Sequence, residues 1–316
     1  MIGRRFKSTT RVAMVVASFA VAAGVVAVPS ASQASTGVYY VSLGDSYSVG
    51  YQPLPTSGAT SGYTGVVARS KHLTLENFGC GGATTDSILT FTGVCGVTGF
   101  GPPAIAGTVG PSTAGQTQIQ AADAFISAHP GQIGLVTVSI GGNDVTSCAA
   151  AANPVACVSS VVPTVQANVT TLVGDLRTAL GKVGKRVPII GLTYPDVLLG
   201  EWVNSGGTPT FPPSTANKTL ASESTIAFKL LINPALKAAY KTGKGKLIDV
   251  TKKTGAYKNF VHTTSITLAP FGTITVPKAV AQVCALTWYC QLGNIHANTT
   301  GYALIGQLIN KKVKIK

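Results

Sequence analysis

Apolar residues along the chain follow two alternating patterns, short continuous runs and longer stretches with helical spacing. Five runs rich in β-branched and aromatic residues each precede a turn: VYYVSL (38–43), LTLENF (73–78), LVTVSI (135–140), VPIIGL (187–192) and KLIDV (246–250). The three central runs are apolar on both faces, which is typical of strands covered on both sides in a parallel sheet. The pattern therefore predicts five strands.

Helical spacing appears between these runs. It is clearest from residue 165 to 180, where Pro163 is suited to the first turn. Strands that alternate with helices indicate an α/β domain with right-handed crossovers, and ligands in such domains bind at the carboxyl ends of the strands. The residues with helical spacing are Val165, Val169, Leu172, Val173, Leu176 and Leu180 in this helix, Ile119, Ala122, Phe125 and Ile126 in an earlier one, and Tyr302, Ile305 and Ile309 in a last one.

The first 34 residues have the composition of an export signal. Four basic residues up to Arg11 precede the apolar run at 12–28, and Ser32 and Ala34 flank Gln33 as the small residues of a cleavage site. We therefore expect a secretory signal peptide at 1–34 and one secreted domain at 35–316. A membrane anchor is the alternative, although the apolar run is short and lacks a flanking stop signal. GRRFK (3–7) weakly resembles a twin-arginine signal, so the export route is open.

The predicted mature chain is strongly basic. Four of the 24 Lys and Arg residues lie within 1–34 while all ten acidic residues lie beyond it, so residues 35–316 have a formal net charge of +10. The basic residues are scattered apart from clusters such as YKTGKGK (240–246) and the terminal KKVKIK. Such a surface favours anionic partners, for example anionic lipid or a cell-wall surface, or it is simply a soluble basic surface. Export argues against nucleic acid, and we expect a monomer.

Six cysteines fall into three close pairs separated by long gaps. An even count in an exported protein indicates three disulfides, for which fifteen connectivities are possible. We expect nearest-neighbour pairing. Zinc is the alternative, but no CxxC spacing or histidine pair supports a metal site. The expected pairs are Cys80–Cys95, Cys148–Cys157 and Cys284–Cys290.

Polar and glycine residues follow the first three predicted strands. Ser46 lies in GDSYSVG after the first, three glycines lie in NFGCGGATTDSIL after the second, and Asn143 lies in SIGGNDV after the third. Each has an ordinary explanation, as a helix N-cap, a tight turn or an Asx turn. Together they place a hydroxyl, a glycine N–H and a side-chain amide at one sheet edge, as acyl transfer requires. His296, just before the last helix, can supply the base.

GDSYS, the glycine of CGGATT, GGND and the late histidine resemble blocks I, II, III and V of the SGNH (GDSL-type) hydrolases, in the family's order. The resemblance implies a flavodoxin-like three-layer α/β/α sandwich around a five-stranded parallel sheet, and ester hydrolysis without metal or cofactor. By position, Ser46 is the nucleophile and an oxyanion donor through its own N–H. Gly82, with Gly81 as the alternative, and Asn143 are further donors, and His296 is the base.

One block departs from the family pattern, because Gly293 stands where an Asp usually precedes the histidine. The cysteine pairs and the basic, exported character resemble the secreted actinobacterial lipases and esterases of this family, some of which use a backbone carbonyl instead. We therefore expect the Gly293 or Asn294 carbonyl to accept the Nδ1–H of His296 and to fix its tautomer. Asp196 or Asp249, folded back towards the histidine, is the alternative. We expect each disulfide to fix the position of one catalytic loop.

The predicted activity is hydrolysis of acyl esters by a lipase or esterase. A phospholipase A, a polysaccharide O-acetyl esterase and a non-catalytic lipid- or glycan-binding module are the alternatives. The apolar, glycine-rich segment 91–110 favours an acyl-chain wall. Among the other histidines, His262 is an alternative base, whereas His72 and His129 are predicted at positions that do not suit one. The chain has no G-x-S-x-G elbow and no H-E-x-x-H motif.

Overall fold

The computed structural model describes residues 38–54, 61–93, 95, 115–182, 186–258 and 260–314. The predicted signal peptide and most of segment 91–110 lie outside the described residues. The strands are β1 (Tyr39–Gly44), β2 (Thr74–Asn77), β3 (Ile133–Ser139), β4 (Ile189–Leu192), β5 (Asn204–Ser205), β6 (Thr208–Pro209), β7 (Lys246–Ile248), β8 (Thr263–Leu268) and β9 (Gly272–Pro277). The helices are α1 (Tyr63–Lys71), α2 (Ser87–Thr90), α3 (Gln118–Ala128), α4 (Gly142–Thr146), α5 (Pro154–Lys182), α6 (Thr215–Ile226), α7 (Asn233–Thr242), α8 (Val250–Lys253), α9 (Lys278–Leu286), α10 (Tyr289–Leu292) and α11 (Thr299–Lys312).

A five-stranded parallel sheet in the order β2-β1-β3-β4-β7 forms the centre of the fold. Alternate residues of each strand point to opposite faces. Val41, Val136 and Ile189 face the helices α3, α5 and α7, while Tyr40, Leu135 and Ile190 face α1 and α11. The five predicted strands and the three-layer α/β/α architecture are therefore confirmed.

Burial of the strands follows their order in space rather than along the chain. All residues of β3 and β4 are buried, and β1 is buried after Tyr39. The expectation that the second run is covered on both faces is wrong, because β2 is an edge strand with an exposed Thr74. β1 lies inside the sheet because the first crossover and the next one place β2 and β3 on opposite sides of it.

The long helix α5 differs from its prediction at the N-terminus. It begins at Pro154, and Pro163 lies inside it. The side chain of Asn153 accepts a hydrogen bond from the Ala156 N–H at 3.0 Å, so an Asn followed by Pro already starts the helix there. By length and composition α5 could cross a membrane. Its apolar side, from Val165 to Leu180, packs on the sheet as in a core helix.

The chain between β4 and α11 builds a third apolar cluster beside the sheet. Its core contains Leu199 of a 3-10 turn (Val197–Trp202), Ala221 of α6, and the side chains that α9 and the β8–β9 hairpin turn towards them. α6 continues through a π-helical segment (Ala227–Ile232) into α7. These elements stand next to the carboxyl edge of the sheet, where β4 ends.

Candidate active site

The turn after β1 carries Ser46 to the carboxyl edge of the sheet. Gly44 has φ +132°, and a Cβ there would lie 2.0 Å from the main-chain oxygen of Ser139, so only glycine fits. Gln118, in the first turn of α3, accepts from the Gly44 N–H at 2.6 Å and donates to its carbonyl at 3.0 Å. The end of β1 is therefore fixed by both a neighbouring strand and a helix.

Ser46 and His296 meet at this edge although 250 residues separate them. The Oγ of Ser46 lies 2.7 Å from Nε2 of His296. The two side chains are 6% and 9% exposed, so both are nearly buried while Ser46 still borders a cavity. The other histidines lie elsewhere: His72 follows α1, His129 ends α3 with Nδ1 on the Phe125 carbonyl, and His262 precedes β8.

The loop from α10 to α11 holds His296 in position. Trp288 N–H donates to the His296 carbonyl at 3.0 Å, and Asn298 N–H donates to the Leu286 carbonyl at 3.0 Å. The side chain of Asn298 caps α11 by accepting from the Gly301 N–H at 2.9 Å. The histidine therefore sits between two fixed points, the C-terminus of α9 and the N-terminus of α11.

The partner of Nδ1 differs from the expectation. The side-chain oxygen of Asn294 lies 2.8 Å from Nδ1 and also accepts the main-chain N–H of His296 at 3.1 Å. The expected main-chain carbonyl of Gly293 or Asn294 is wrong, because this Asx turn brings the amide oxygen of Asn294 to the ring first. Gly293 supports the turn with φ +62° and packs against Gly207, whose Cα would lie 2.3 Å from an added Cβ. The Asn-x-His spacing was the signal for this contact in the sequence.

Neither candidate carboxylate contacts His296. Asp196 accepts from the hydroxyls of Ser224 and Thr225 at 3.1 and 3.2 Å. Asp249 caps α8 by accepting from the Lys252 N–H at 2.8 Å. The alternative of an aspartate folded back towards the histidine is therefore wrong.

Aromatic side chains shield the imidazole from water. The ring of Tyr47 is stacked 5.8 Å from that of His296, and the ring of Tyr51 lies edge-on at 4.6 Å. Burial lowers the pKa of His296 to about 4. A neutral ring with its proton on Nδ1 satisfies both contacts, since it donates to Asn294 and leaves Nε2 free to accept from Ser46.

Asp45, next to Ser46, is buried, and its carboxylate makes no hydrogen bond to the histidine. It accepts hydrogen bonds from the Tyr194 hydroxyl and, at 3.0 Å, from the Tyr47 N–H. Burial raises its pKa to about 7, although these hydrogen bonds work in the opposite direction. The Tyr47 hydroxyl donates to the Ile295 carbonyl at 2.8 Å and so connects the serine loop to the histidine loop. The sequence alone did not indicate these roles for Asp45 and the tyrosines.

Amide donors lie on the segments that follow β1, β2 and β3 at the carboxyl edge of the sheet. The side-chain amide of Asn143 donates to the Ala83 carbonyl at 2.8 Å. Asp144 accepts from the N–H and the hydroxyl of Thr85, the hydroxyl at 2.6 Å. The Asn143–Ala83 and Asp144–Thr85 contacts therefore join the loops after β2 and β3. Among the described residues, the N–H groups of Ser46, Gly81 and Gly82 have no protein acceptor.

A cavity of about 280 Å³ opens beside Ser46 and Asn143. Its walls come from the start of α5, the 3-10 turn and α6, and they are mostly apolar, with Glu223 as a charged exception. The predicted wall from segment 91–110 lies mostly outside the described residues. Apolar wall residues are Val155, Val158, Leu198, Leu220, Ala227 and Phe228.

Three disulfides join Cys80–Cys95, Cys148–Cys157 and Cys284–Cys290, and no cysteine is free. The pairing is the expected one, and oxidation leaves no thiolate for the zinc alternative. Cys80 is two residues from Gly82, Cys148 follows α4, which carries Asn143, and Cys290 precedes the histidine loop. One disulfide therefore lies next to each loop that reaches the site.

Comparison with known proteins assigns the chain to a class, the carboxylic ester hydrolases. The model of the GDSL-like lipase/acylhydrolase family matches residues 40–309. The chain belongs to this family. The search of curated proteins found no match.

Solved structures with a similar fold have low sequence identity. Phospholipase A1 from Streptomyces albidoflavus is 17% identical, with 88% of this chain and 100% of that chain covered and a TM-score of 0.44. An extracellular lipase from Streptomyces rimosus is 20% identical, with 88% and 100% covered and a TM-score of 0.43. A lipase from a goat rumen metagenome is 14% identical, with 87% and 96% covered and a TM-score of 0.49. All three scores are below 0.5, so the assignment rests on the family match.

Proposed function

We propose that the protein is a secreted lipase or esterase in which Ser46 is the nucleophile and His296 the general base. The observation that carries the proposal is the 2.7 Å contact between Ser46 Oγ and His296 Nε2 beside an apolar cavity. A hydroxyl at this distance from a neutral imidazole can lose its proton as it attacks.

The reaction proceeds in two halves. Ser46 Oγ attacks the ester carbonyl carbon while its proton passes to Nε2, and the carbonyl oxygen becomes an oxyanion. His296 returns that proton to the leaving alkoxide, which leaves an acyl-serine. A water then attacks the acyl carbon while one of its protons passes to Nε2. The bond from that carbon to Ser46 Oγ breaks, Nε2 returns the proton to Oγ, and the carboxylic acid is released.

Three donors can stabilise the oxyanion: the N–H of Ser46, the N–H of Gly82 and the side-chain amide of Asn143. Gly81 remains the alternative to Gly82. The free main-chain donors at Ser46 and Gly82 support this assignment, since no protein acceptor among the described residues competes for them. One such donor contributes on the order of 10²–10³ in rate.

Asn294 fixes the productive tautomer of His296 by accepting from Nδ1–H. Unlike a carboxylate, its neutral amide does not stabilise the imidazolium that forms during attack. We infer that this site gives up part of the electrostatic benefit of a Ser-His-Asp triad and gains a histidine that stays neutral in mildly acidic medium.

The apolar cavity favours esters with an alkyl chain over O-acetyl groups on a polysaccharide. A phospholipase A would use the same residues and is the second candidate. The contact between Ser46 and His296 argues against a non-catalytic lipid- or glycan-binding module, which has no need of an activated serine. Three disulfides and the predicted signal peptide support secretion.

The test is hydrolysis of p-nitrophenyl esters from acetate to palmitate, together with phosphatidylcholine, by wild type and Ser46→Ala. We expect the variant to lose at least about 10³-fold in kcat while its thermal midpoint is kept. Ser159→Ala, at an exposed serine of α5, is the matched control. Equal rates for Ser46→Ala and wild type would refute the assignment. A preference for phospholipid over all simple esters would select the phospholipase.

A further inference from the structure

The basic residues gather at the end of the sheet opposite Ser46. Helices α1, α5 and α7 each lead by a short connection into a strand, so each helix ends beside the amino end of the sheet. The last turns of these helices carry Lys and Arg. Because Ser46, Gly82, Asn143 and His296 all lie at the carboxyl end, charge and chemistry occupy opposite ends of the molecule.

The first cluster forms where α1 and α11 end together. The Lys71 ammonium donates to the Val313 carbonyl at 3.2 Å, which places the two helix ends side by side. The side chains of this cluster are exposed, except that of Lys71, which is half-buried. Its members are Arg69, Lys71, Lys311, Lys312 and Lys314.

The second cluster forms where α5 ends and β4 and β7 begin. The Arg177 guanidinium donates to the Val187 carbonyl at 2.9 Å and to the Lys244 carbonyl at 3.1 Å. Burial, and then the nearby charge of Arg186, lowers the pKa of Arg177, so the two guanidinium groups are close enough to repel. Its members are Arg177, Lys182, Arg186, Lys241, Lys244 and Lys246.

Acidic residues do not balance these clusters. Seven carboxylates lie on the loops and helices near the carboxyl end of the sheet, together with six lysines, so the site end is close to neutral. The seven are Asp45, Asp86, Asp144, Asp196, Glu201, Glu223 and Asp249, and the six are Lys218, Lys229, Lys252, Lys253, Lys258 and Lys278. Only Glu76, Asp123 and Asp175 remain for the rest of the molecule.

The cationic end carries charge without apolar side chains to insert into a bilayer. Neither cluster contains any of the large exposed hydrophobic residues in the described part of the chain. These exposed residues are Leu54, Ile226, Leu230, Val261 and Leu292. A surface that inserts into a bilayer combines cations with apolar side chains. A hydrated polymer of phosphates needs only the cations.

We propose that the two clusters bind a linear phosphate polymer outside the membrane and hold the enzyme with Ser46 facing away from it. Lys and Arg side chains from separate helices can contact successive phosphates and release their counterions. The 14 residues of α11 separate the first cluster from the histidine loop by about 20 Å. Bound polymer therefore leaves the catalytic site open to small esters.

The test measures binding of fluorescent inorganic polyphosphate to the full-length mature enzyme by anisotropy between 50 and 200 mM NaCl. Two triple variants remove three charges each from the clusters, Lys311→Gln/Lys312→Gln/Lys314→Gln and Lys182→Gln/Arg186→Gln/Lys241→Gln. The matched control removes three charges at the site end, Lys252→Gln/Lys253→Gln/Lys258→Gln. We expect each cluster variant to lose about tenfold or more in affinity at low salt with a shallower salt slope, and the control to lose less than about threefold.

Saturating polyphosphate should leave kcat/KM for a water-soluble ester within about twofold, and Ser46→Ala should bind polyphosphate like wild type. Equal losses in the cluster and control variants would overturn the proposal, because net charge alone would then explain binding. Blocked ester hydrolysis in the presence of polymer would also overturn it. Tighter binding to phosphatidylglycerol vesicles than to polyphosphate, lost in the same cluster variants, would assign the surface to a membrane instead.

Discussion

Asn294 and His296 are joined twice through one oxygen, because Oδ1 of Asn294 accepts both the main-chain N–H and the ring Nδ1–H of His296. A turn of three residues thus sets the backbone position, the ring orientation and the tautomer of the base. The amide carries no charge, so it cannot stabilise the imidazolium as a carboxylate does. This relationship distinguishes the site from a Ser-His-Asp triad.

Replacing Asn294 separates orientation from charge. Asn294→Ala removes the acceptor, and we expect kcat to fall about 10- to 100-fold with KM nearly unchanged, since the ring then loses its preferred tautomer. Asn294→Asp keeps the acceptor and adds a charge, so the acid limb of the pH profile should move up by about one unit or more. Steady-state kinetics from pH 4 to 9 measure both effects.

The outcomes of that experiment are specific. Asp249→Asn is the matched control, because Asp249 caps α8 and does not contact His296. A kcat for Asn294→Ala equal to that of wild type would mean that another group orients the base. A large loss in Asp249→Asn at an unchanged thermal midpoint would restore a conventional triad.

Activity should extend into acid. His296 acts as a base only when neutral, and burial lowers its pKa to about 4. We therefore expect kcat/KM to stay level from pH 7 down to about 5 and to fall by half near pH 4, where the ring becomes protonated. The profile is to be measured with a soluble ester, after the enzyme is shown to stay folded at each pH. A midpoint near the ordinary histidine value of about 6.5 would contradict this environment for the ring.

Stability should fall as pH rises, through the buried Asp196. Burial raises the pKa of Asp196 from 3.8 to about 7, so the folded state holds its proton where the unfolded chain has lost it. The stability this proton confers is complete below about pH 4 and is lost as pH rises towards 7. Asp196→Asn should therefore gain about 2–4 kcal/mol at pH 8 relative to wild type and little at pH 4.

Denaturant unfolding at pH 4 and pH 8 measures that difference. Asp86→Asn, at an exposed carboxylate, is the control. A destabilised Asp196→Asn at pH 8 would show that the ionised carboxylate, with its bonds from Ser224 and Thr225, is the form the fold uses.

Filling the cavity should shorten the preferred acyl chain. Ala227 is buried and lines the cavity in the π-helical segment, so Ala227→Phe occupies volume that an alkyl chain would use. We expect kcat/KM for octanoyl and longer esters to fall about tenfold or more, and that for acetyl esters to change less than about threefold. Thr219→Phe, at an exposed position of α6, is the matched control. Equal losses for acetyl and long esters would place the acyl chain elsewhere.

Each disulfide should stabilise the fold, and the Cys284–Cys290 bond should also support activity. Its removal by Cys284→Ala/Cys290→Ala frees the chain before the histidine loop and should cost about 2–3 kcal/mol. We expect a lower thermal midpoint and a lower kcat at 25 °C. Cys148→Ala/Cys157→Ala is a second arm, because that bond ties a helix start rather than the base. An unchanged midpoint and rate in both variants would exclude a structural role for them.

The centre of the sheet was predictable because β3 and β4 are short, mostly apolar and buried on both faces, as is typical of inner parallel strands. The order of the strands in space was not predictable, and the second run, expected to be covered on both faces, is the partly exposed edge strand β2. Pro163 was expected to begin α5, but Asn153 and Pro154 supply the start signals earlier in the chain.

Ser46, Asn143 and His296 could be named from the sequence because glycine-rich turns after parallel strands place polar groups at one edge. The partner of His296 could not be settled in the same way. Its identity depends on whether the side chain or the main chain of Asn294 reaches Nδ1, a matter of one torsion angle in a loop. Tyr47 and Tyr51 went unnoticed because aromatic residues after a strand usually belong to the core.

Covalent labelling tests most directly whether His296 activates Ser46. The wild-type enzyme and His296→Ala are treated with a fluorophosphonate, digested, and the modified peptide is located by mass spectrometry. The account predicts rapid, stoichiometric modification of Ser46 in wild type and labelling slower by at least about 10³-fold in His296→Ala. Modification of a different residue, or equal labelling of Ser46 in both proteins, would contradict it.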